Sequence, residues 1–281
     1  MILQICLIVL GFGLLIKGAD WLVEGSSSIA KRFHIPEIII GLTIVSIGTS
    51  MPELFVSVTS ALDGYSDMAI GNVIGSNICN LLLILGLSTV ISSVKFQRET
   101  RLIEIPMSLF FTIVFMILCN TGTGISRAEA VILLVLFIMF ITYTIVMSKK
   151  GEAFDSKDED VNNLKEDKDE KSFSMIKNIL AVIIGVIALK LGGDFTVDNS
   201  VLIAQRFNIS EQIISLTILA VGTSLPELVT SVMAAIKGNS DIAIGNIIGS
   251  NIFNMLLIIG VSAIIRPITY NVTYNIQMAI F

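Results

Sequence analysis

Charge is scarce in this chain. Asp, Glu, Lys and Arg make up 15% of its 281 residues, and within 152–172 alone nine Asp/Glu stand against four Lys. Soluble domains carry about 25% charged residues. Away from that segment the two signs nearly cancel, so the net charge of -5 gives no basic surface for nucleic acid. Histidine is almost missing: His34 is the only one, and it lies in a loop where a structural role suffices. With no HExxH and no nucleophile–histidine pair, the sequence does not read as an enzyme. Cys6, Cys79 and Cys119 sit in or at the edge of apolar runs without metal-ligand spacing, which indicates packing residues rather than a disulfide or a metal centre. The first apolar run, from Ile2, lacks a basic leader and a small-residue cleavage site, so it reads as a retained span.

What the chain has is apolar length. It is 54% hydrophobic with a mean hydropathy of +0.87. Several runs reach the roughly 20 apolar residues that cross a bilayer as a helix. The fold class that follows is an all-α polytopic membrane protein, with the lipid bilayer as its partner and no protein partner or cofactor evident. Spans are expected at 2–29, 38–61, 68–92, 104–120, 126–148, 175–203, 211–236 and 242–265. Lys17, Asp20 and Glu24 interrupt the first, so its second half is expected to tilt or lie at the interface. The segment Lys149–Ser174 is too polar to bury a core and reads as a tether, disordered or weakly helical. The expected division is therefore 1–148, a linker 149–174, and 175–281.

The two halves repeat. Gly41–Phe96 aligns without a gap on Ser215–Tyr270, 174 positions later, and over half of the aligned residues are identical. Lys31 and Arg32, then Lys95, Arg98 and Arg101, then Lys149 and Lys150 mark alternate loops as cytoplasmic, which places the N-terminus outside and the 149–174 loop inside. Five spans in the first half would make the second half enter from the opposite side, giving two inverted-topology repeats. The same offset places partners of the fourth and fifth spans beyond Phe281. The second repeat is thus expected to be truncated after its third helix, with a fourth beginning near Ile276.

The chemistry lies in two hexads, Gly48-Thr-Ser-Met-Pro-Glu53 and Gly222-Thr-Ser-Leu-Pro-Glu227, each in the middle of an apolar run. A carboxylate at membrane depth costs a few kcal/mol on insertion scales of about 3 kcal/mol per residue, and usually marks an ion path. Pro52 and Pro226 have no N–H and crowd the carbonyls of Gly48 and Gly222, so the helices should break over Gly48–Met51 and Gly222–Leu225. Carbonyls freed in this way, the hydroxyls of Thr49, Ser50, Thr223 and Ser224, and the carboxylates of Glu53 and Glu227 are hard oxygen ligands. Calcium takes six to eight of these. A second reading stays open, since Ser50-x-x-Glu53 and Ser224-x-x-Glu227 also fit capping boxes.

Gly71-Asn-Val-Ile-Gly-Ser-Asn-Ile-Cys-Asn80 recurs as Gly245-Asn-Ile-Ile-Gly-Ser-Asn-Ile-Phe-Asn254. Gly71/Gly75 and Gly245/Gly249 allow close helix approach. Asn72, Asn77, Asn246 and Asn251 suit interhelical hydrogen bonds, whereas Ser76, Asn80, Ser250 and Asn254 offer neutral oxygens one turn apart.

With these hexads and GN-x-x-GSN-x-x-N stretches, the chain resembles the sodium/calcium exchangers of the cation/calcium antiporter superfamily, from about Gly18 to Pro267. The resemblance implies ten helices, with ion sites on spans two, three, seven and eight. By motif position it implies calcium at Glu53, Glu227 and the carbonyls of Thr49 and Thr223. It implies sodium at Ser50, Ser76, Ser224, Ser250, both glutamates and the carbonyls of Ser46 and Ala220, with Asn80 and Asn254 lining the centre. Potassium-dependent members carry Asp where this chain has Asn254, which argues against potassium co-transport. The function expected is electrogenic sodium/calcium antiport by alternating access. Proton/calcium antiport on the same scaffold, or a cation channel, are the alternatives.

Overall fold

A computed structural model describes residues 1–91, 97–98, 100–158, 174–208 and 220–280, the side chains of 148–158 and 220 excepted. The chain is almost entirely helical. Its long elements are α1 (Ile2–Arg32), a bent pair α2 (Glu37–Thr49) and α3 (Met51–Asp63), α4 (Ser66–Ile91), α5 (Thr100–Asn120), α6 (Arg127–Asp158) and α7 (Met175–Arg206). After a single turn at Ala220–Gly222 come α8 (Leu225–Ile236), α9 (Ser240–Ile265) and a short α10 (Tyr274–Met278). Six helices are long and apolar enough to cross a membrane, or seven with the bent pair taken as one span. Seven of the eight expected spans hold, the third apart from residue 92; of the seventh only the twelve-residue α8 is long and regular, and 211–219 lie outside the described residues.

Helix α1 runs unbroken through Lys17, Asp20 and Glu24, which find ion-pair partners, while Leu15, Ala19, Leu22 and Val23 behind them are fully buried; a continuous helix is compatible with the expected tilt. Helix α6 continues to Asp158, into the start of the 149–174 segment expected to be disordered or weakly helical; residues 159–173 lie outside the description. Near Ile276, where a further helix is expected to begin, the short α10 is present, with Met278 buried in the core.

Helices α1 and α7 cross antiparallel on bare backbone. A Cβ on Gly18 would stand 2.8 Å from the Gly185 carbonyl oxygen, and one on Gly185 would stand 2.8 Å from the Gly18 oxygen. Gly11 and Gly192 face each other in the same way at 2.8 and 2.7 Å. Small residues are what lets membrane helices close to this distance. Gly11 and Gly18 are the 174-residue counterparts of Gly185 and Gly192, so the two contacts exchange under the repeat, as an antiparallel two-fold arrangement requires.

At the centre stands α9. Of its apolar stretch 78% is buried, against 33% for its counterpart α4. Helices α5 and α6 wrap α9 through Phe111, Phe115, Leu133 and Phe140, whereas Leu82, Leu83 and Leu87 of α4 stay exposed. Gly245 and Gly249 pack on the backbone of α2 at Ile38, Gly41 and Leu42. The matching glycines of α4 do not close in this way among the described residues. Gly71 meets only the Tyr274 hydroxyl, at 3.4 Å, and Gly75 meets nothing within 4 Å. The segment equivalent to α2 in the second half is largely 211–219. Two short strands that the sequence does not announce, Gly124–Ile125 and Ile268–Thr269, pair antiparallel and tie the α5–α6 turn to the end of α9.

Candidate ion site

Both hexads break their helices where proline removes an amide. In the first half the break is one residue wide: α2 ends at Thr49, Ser50 takes φ -85 and ψ 10, and α3 leaves at 50°. In the second half Thr223 and Ser224 separate Ala220–Gly222 from α8, and Ser224 takes φ -86 and ψ 7. Pro52 and Pro226 open the helices that follow. Gly48 and Gly222 have no side chain because Val186 and Val197 of α7 occupy that space.

The capping-box reading does not hold. Neither Ser50 nor Ser224 caps its own helix through its side chain. Their hydroxyls cross to the other repeat instead: Ser50 donates to Glu227 Oε1 at 2.8 Å, and Ser224 donates toward Glu53 Oε1 at 3.4 Å. Ser76 also donates to Glu53 Oε1, at 3.2 Å, and lies 3.2 Å from the Ser224 hydroxyl. Both glutamates are buried, and neither has a Lys, Arg or His partner among the described residues.

The asparagines divide into two sets. Asn77 and Asn251 hold the centre: Asn80 donates to Asn251 Oδ1 at 2.9 Å, Asn254 donates to Asn77 Oδ1 at 2.9 Å, and Asn77 reaches the Asn251 carbonyl at 3.3 Å. Asn72 and Asn246 hold the glutamate helices. Asn72 donates to the Glu53 carbonyl (3.2 Å) and to Ser57 (3.0 Å); Asn246 donates to the Glu227 carbonyl (3.5 Å) and to Ser231 (2.9 Å). All four thus form interhelical hydrogen bonds, as the sequence indicates. Ser57 and Ser231 were missed, although their recurrence at the common offset was a usable signal. Replacing Asn72 or Asn246 by Ala should leave a buried carbonyl and hydroxyl unpaired, a loss of about 1–3 kcal/mol. The expected result is a thermal midpoint lowered by several degrees, measured on purified protein in detergent.

A second missed feature is backbone. Cys79–Ile84 and Asn254–Ile258 are π-helical, and the carbonyls of Asn80 and Asn254 accept from residues five ahead, Leu85 and Ile259. Such π-turns occur often at functional sites. No side-chain periodicity reveals them.

Within the site, four buried carboxylate and amide oxygens accept no hydrogen bond from the described residues: Glu53 Oε2, Glu227 Oε2, Asn80 Oδ1 and Asn254 Oδ1. They come as two repeat-related pairs. Leaving such acceptors unsatisfied is costly, so the arrangement suits a ligand that brings positive charge and no acceptor of its own. Ser250 Oγ, the counterpart of Ser76 Oγ, is likewise buried and unpartnered. The remaining residues are less open. Thr49 is buried and donates to Asn246 Oδ1 at 3.0 Å, whereas Thr223 is half-buried. Ser46 returns its hydroxyl to Leu42, and its carbonyl accepts from Ser50 N and Thr49 Oγ1. Ala220 begins the turn before Gly222.

Comparison with known proteins settles the family. The model of the sodium/calcium exchanger protein family matches residues 3–146 and 177–281. The chain belongs to the sodium/calcium exchanger family. It is therefore a multi-pass membrane transporter of the cation/calcium exchange class, not an enzyme. It is 34% identical to the inner membrane protein YrbG of Escherichia coli over all of its length and 87% of that protein. It is 33% identical to the sodium/calcium exchanger MaX1 of Methanosarcina acetivorans over 94% of its length and 83% of that chain. The solved structure of the sodium-calcium exchanger NCX_Mj superposes with a TM-score of 0.83 at 33% identity, covering 99% of this chain and 86% of the other. The structural likeness accounts for the helical architecture.

Proposed function

We propose that this family member exchanges sodium for calcium by alternating access to one site between the two broken helices. The observation that carries this reading is the set of four unpartnered acceptors, two of them on carboxylates, buried with no protein cation beside them among the described residues. Two negative charges and several neutral oxygens match a divalent, hard cation. Glu53 and Glu227 would hold calcium, helped by the Thr49 and Thr223 carbonyls, with Asn80 and Asn254 lining the centre. Sodium would occupy positions made from Ser50, Ser76, Ser224 and Ser250, the same carboxylates, and the carbonyls of Ser46 and Ala220. The hydroxyls that now donate to the carboxylates turn their oxygens toward an ion without moving a helix. Because both loads need the same two charges, they exclude each other, and coupling follows.

In this reading residues 1–148 and 175–281 are the two inverted repeats. The N-terminus lies outside, the 149–174 connection is cytoplasmic, and the end of α8 at Lys237 faces the cytoplasm. One net charge moved per cycle would couple about 2.3 kcal/mol per 100 mV to transport.

The test is calcium-45 uptake into proteoliposomes at fixed pH, with and without sodium inside. Uptake is expected only with the outward sodium gradient, and it should speed up when the membrane is polarised to assist the net charge. Uptake that ignores sodium and follows an imposed proton gradient would replace sodium by protons as the driving ion. A linear, non-saturating conductance would make the protein a channel.

A further inference from the structure

The two repeats are not closed equally. In the first half of the site the Thr49 hydroxyl reaches across to Asn246 at 3.0 Å. The equivalent bond from Thr223 to the Asn72 oxygen is not formed, although the amides of Asn72 and Asn246 make matching bonds to their glutamate helices. Helix α1 packs along α8, whereas the matching pair, α7 and α3, scarcely touches. Phe55 of α3 is correspondingly 53% exposed, and its counterpart Val229 is half-buried.

An ideal inverted repeat would have its two states equal in energy. Any preference must then come from residues that do not repeat. The clearest lies at the rim. Lys237, just after α8, ion-pairs with Asp20 of α1, donates to the Asp20 carbonyl at 3.3 Å, and stands 3.8 Å from Glu24. Lys17 adds a second cation, 3.7 Å from Asp20. At the equivalent rim the residue in place of Lys237 is Asp63, and those in place of Asp20 and Glu24 are Asp194 and Asp198. Lys17 is replaced by Leu191. The cations near that rim are used otherwise: Lys190 pairs with Asp194 on its own helix at 2.6 Å, and Arg266 donates to the Leu62 carbonyl. Closing α7 onto α3 would bring Asp63 toward two further carboxylates.

We propose that Lys237 with Asp20 and Glu24 forms a charge latch that holds α1 against α8, and that the opposite rim, with Asp63 in place of Lys237, lacks a cation bridging its two helices. The exchanger is thereby biased toward the state closed at the Lys237 rim. This rests on the alternating-access reading above. A latch of this kind has a signature that damage to the fold does not. The apparent dissociation constant at each face is the intrinsic one divided by the fraction of molecules open to that face. Weakening the latch raises the small fraction open at the Lys237 face and barely alters the large fraction open at the other. A partly exposed ion pair such as Lys237–Asp20 is worth up to about 1 kcal/mol, roughly fivefold in that equilibrium.

The experiment measures half-saturating calcium separately at each face, in right-side-out and inside-out vesicles carrying the full chain. Lys237→Asp should lower half-saturating calcium at the Lys237 face about threefold to fivefold and leave the other face unchanged; Lys237→Arg should behave as the parent protein. Asp63→Lys, at an exposed position, should act in the same direction by giving the opposite rim its own cation. Equal changes at both faces, or no change in either variant, would overturn the latch. Loss of sodium-driven exchange in the unsubstituted protein would instead remove the reading beneath it, so the two failures are distinguishable.

Discussion

Glu53→Gln and Glu227→Gln are each expected to abolish sodium-driven calcium uptake while leaving a folded protein. Each carboxylate is buried, accepts serine hydroxyls from across the repeat, and keeps one oxygen unpartnered. Removing one partner of a buried charge interaction costs about 3–5 kcal/mol, which corresponds to roughly two to three and a half orders of magnitude in affinity. The amide keeps the shape and one oxygen, so the loss reports charge rather than packing. Thermal unfolding separates the effect from misfolding. A ligand that binds only the folded state raises the midpoint by mass action. Calcium should therefore raise the midpoint of the parent protein and not that of either glutamine variant. In calcium-free buffer the variants should be at least as stable as the parent, because a buried carboxylate without a cation opposes folding. Calcium uptake within tenfold of the parent in either variant would refute the assignment.

Gly185→Val should prevent assembly of the two halves. The new Cβ would lie 2.8 Å from the Gly18 oxygen and 2.9 Å from the Leu22 nitrogen, both backbone atoms that cannot rotate away. Helices α1 and α7 would have to separate along their whole crossing. Overpacking in a well-packed core usually costs about 1–3 kcal/mol and occasionally more; here two helix backbones must move, which places the expected loss at or above the top of that range. Gly13→Val on α1 is the control, since nothing lies within 4 Å of its Cβ position. Size-exclusion profiles and thermal midpoints in detergent should show Gly185→Val aggregated or lowered by 10 °C or more, on the order of 3 kcal/mol. Gly13→Val should be close to the parent. A monodisperse, normally melting Gly185→Val protein would mean that the crossing is not held by backbone contact.

Much of the site was legible because it is written twice. Proline after the two hydroxyls forecast both helix breaks, and the repeat offset paired every residue around Glu53 with one around Glu227. Ser57 and Ser231 followed the same offset and could have been read in the same way. The capping-box alternative was a fair inference from local spacing. It failed because spacing says which atoms are near along the chain, and the Ser50 and Ser224 hydroxyls are nearer to carboxylates from the other half. The π-turns at Asn80 and Asn254 were invisible for a different reason: an i to i+5 bond changes backbone register without altering the apolar pattern that sequence reading relies on.

The sequence by itself determined the membrane character, the spans, the duplication, the broken helices and the identity of the two buried carboxylates. Each of these depends on local composition or on comparison of the chain with itself. Tertiary structure alone decided which hydroxyl serves which carboxylate, which four oxygens are left without a partner, and which rim is drawn together by Lys237. Those are distances between helices far apart in the chain. They depend on how closely glycine lets backbones approach and on small differences between two nearly identical halves. The repeat makes the halves look equal on paper, and packing makes them unequal in space.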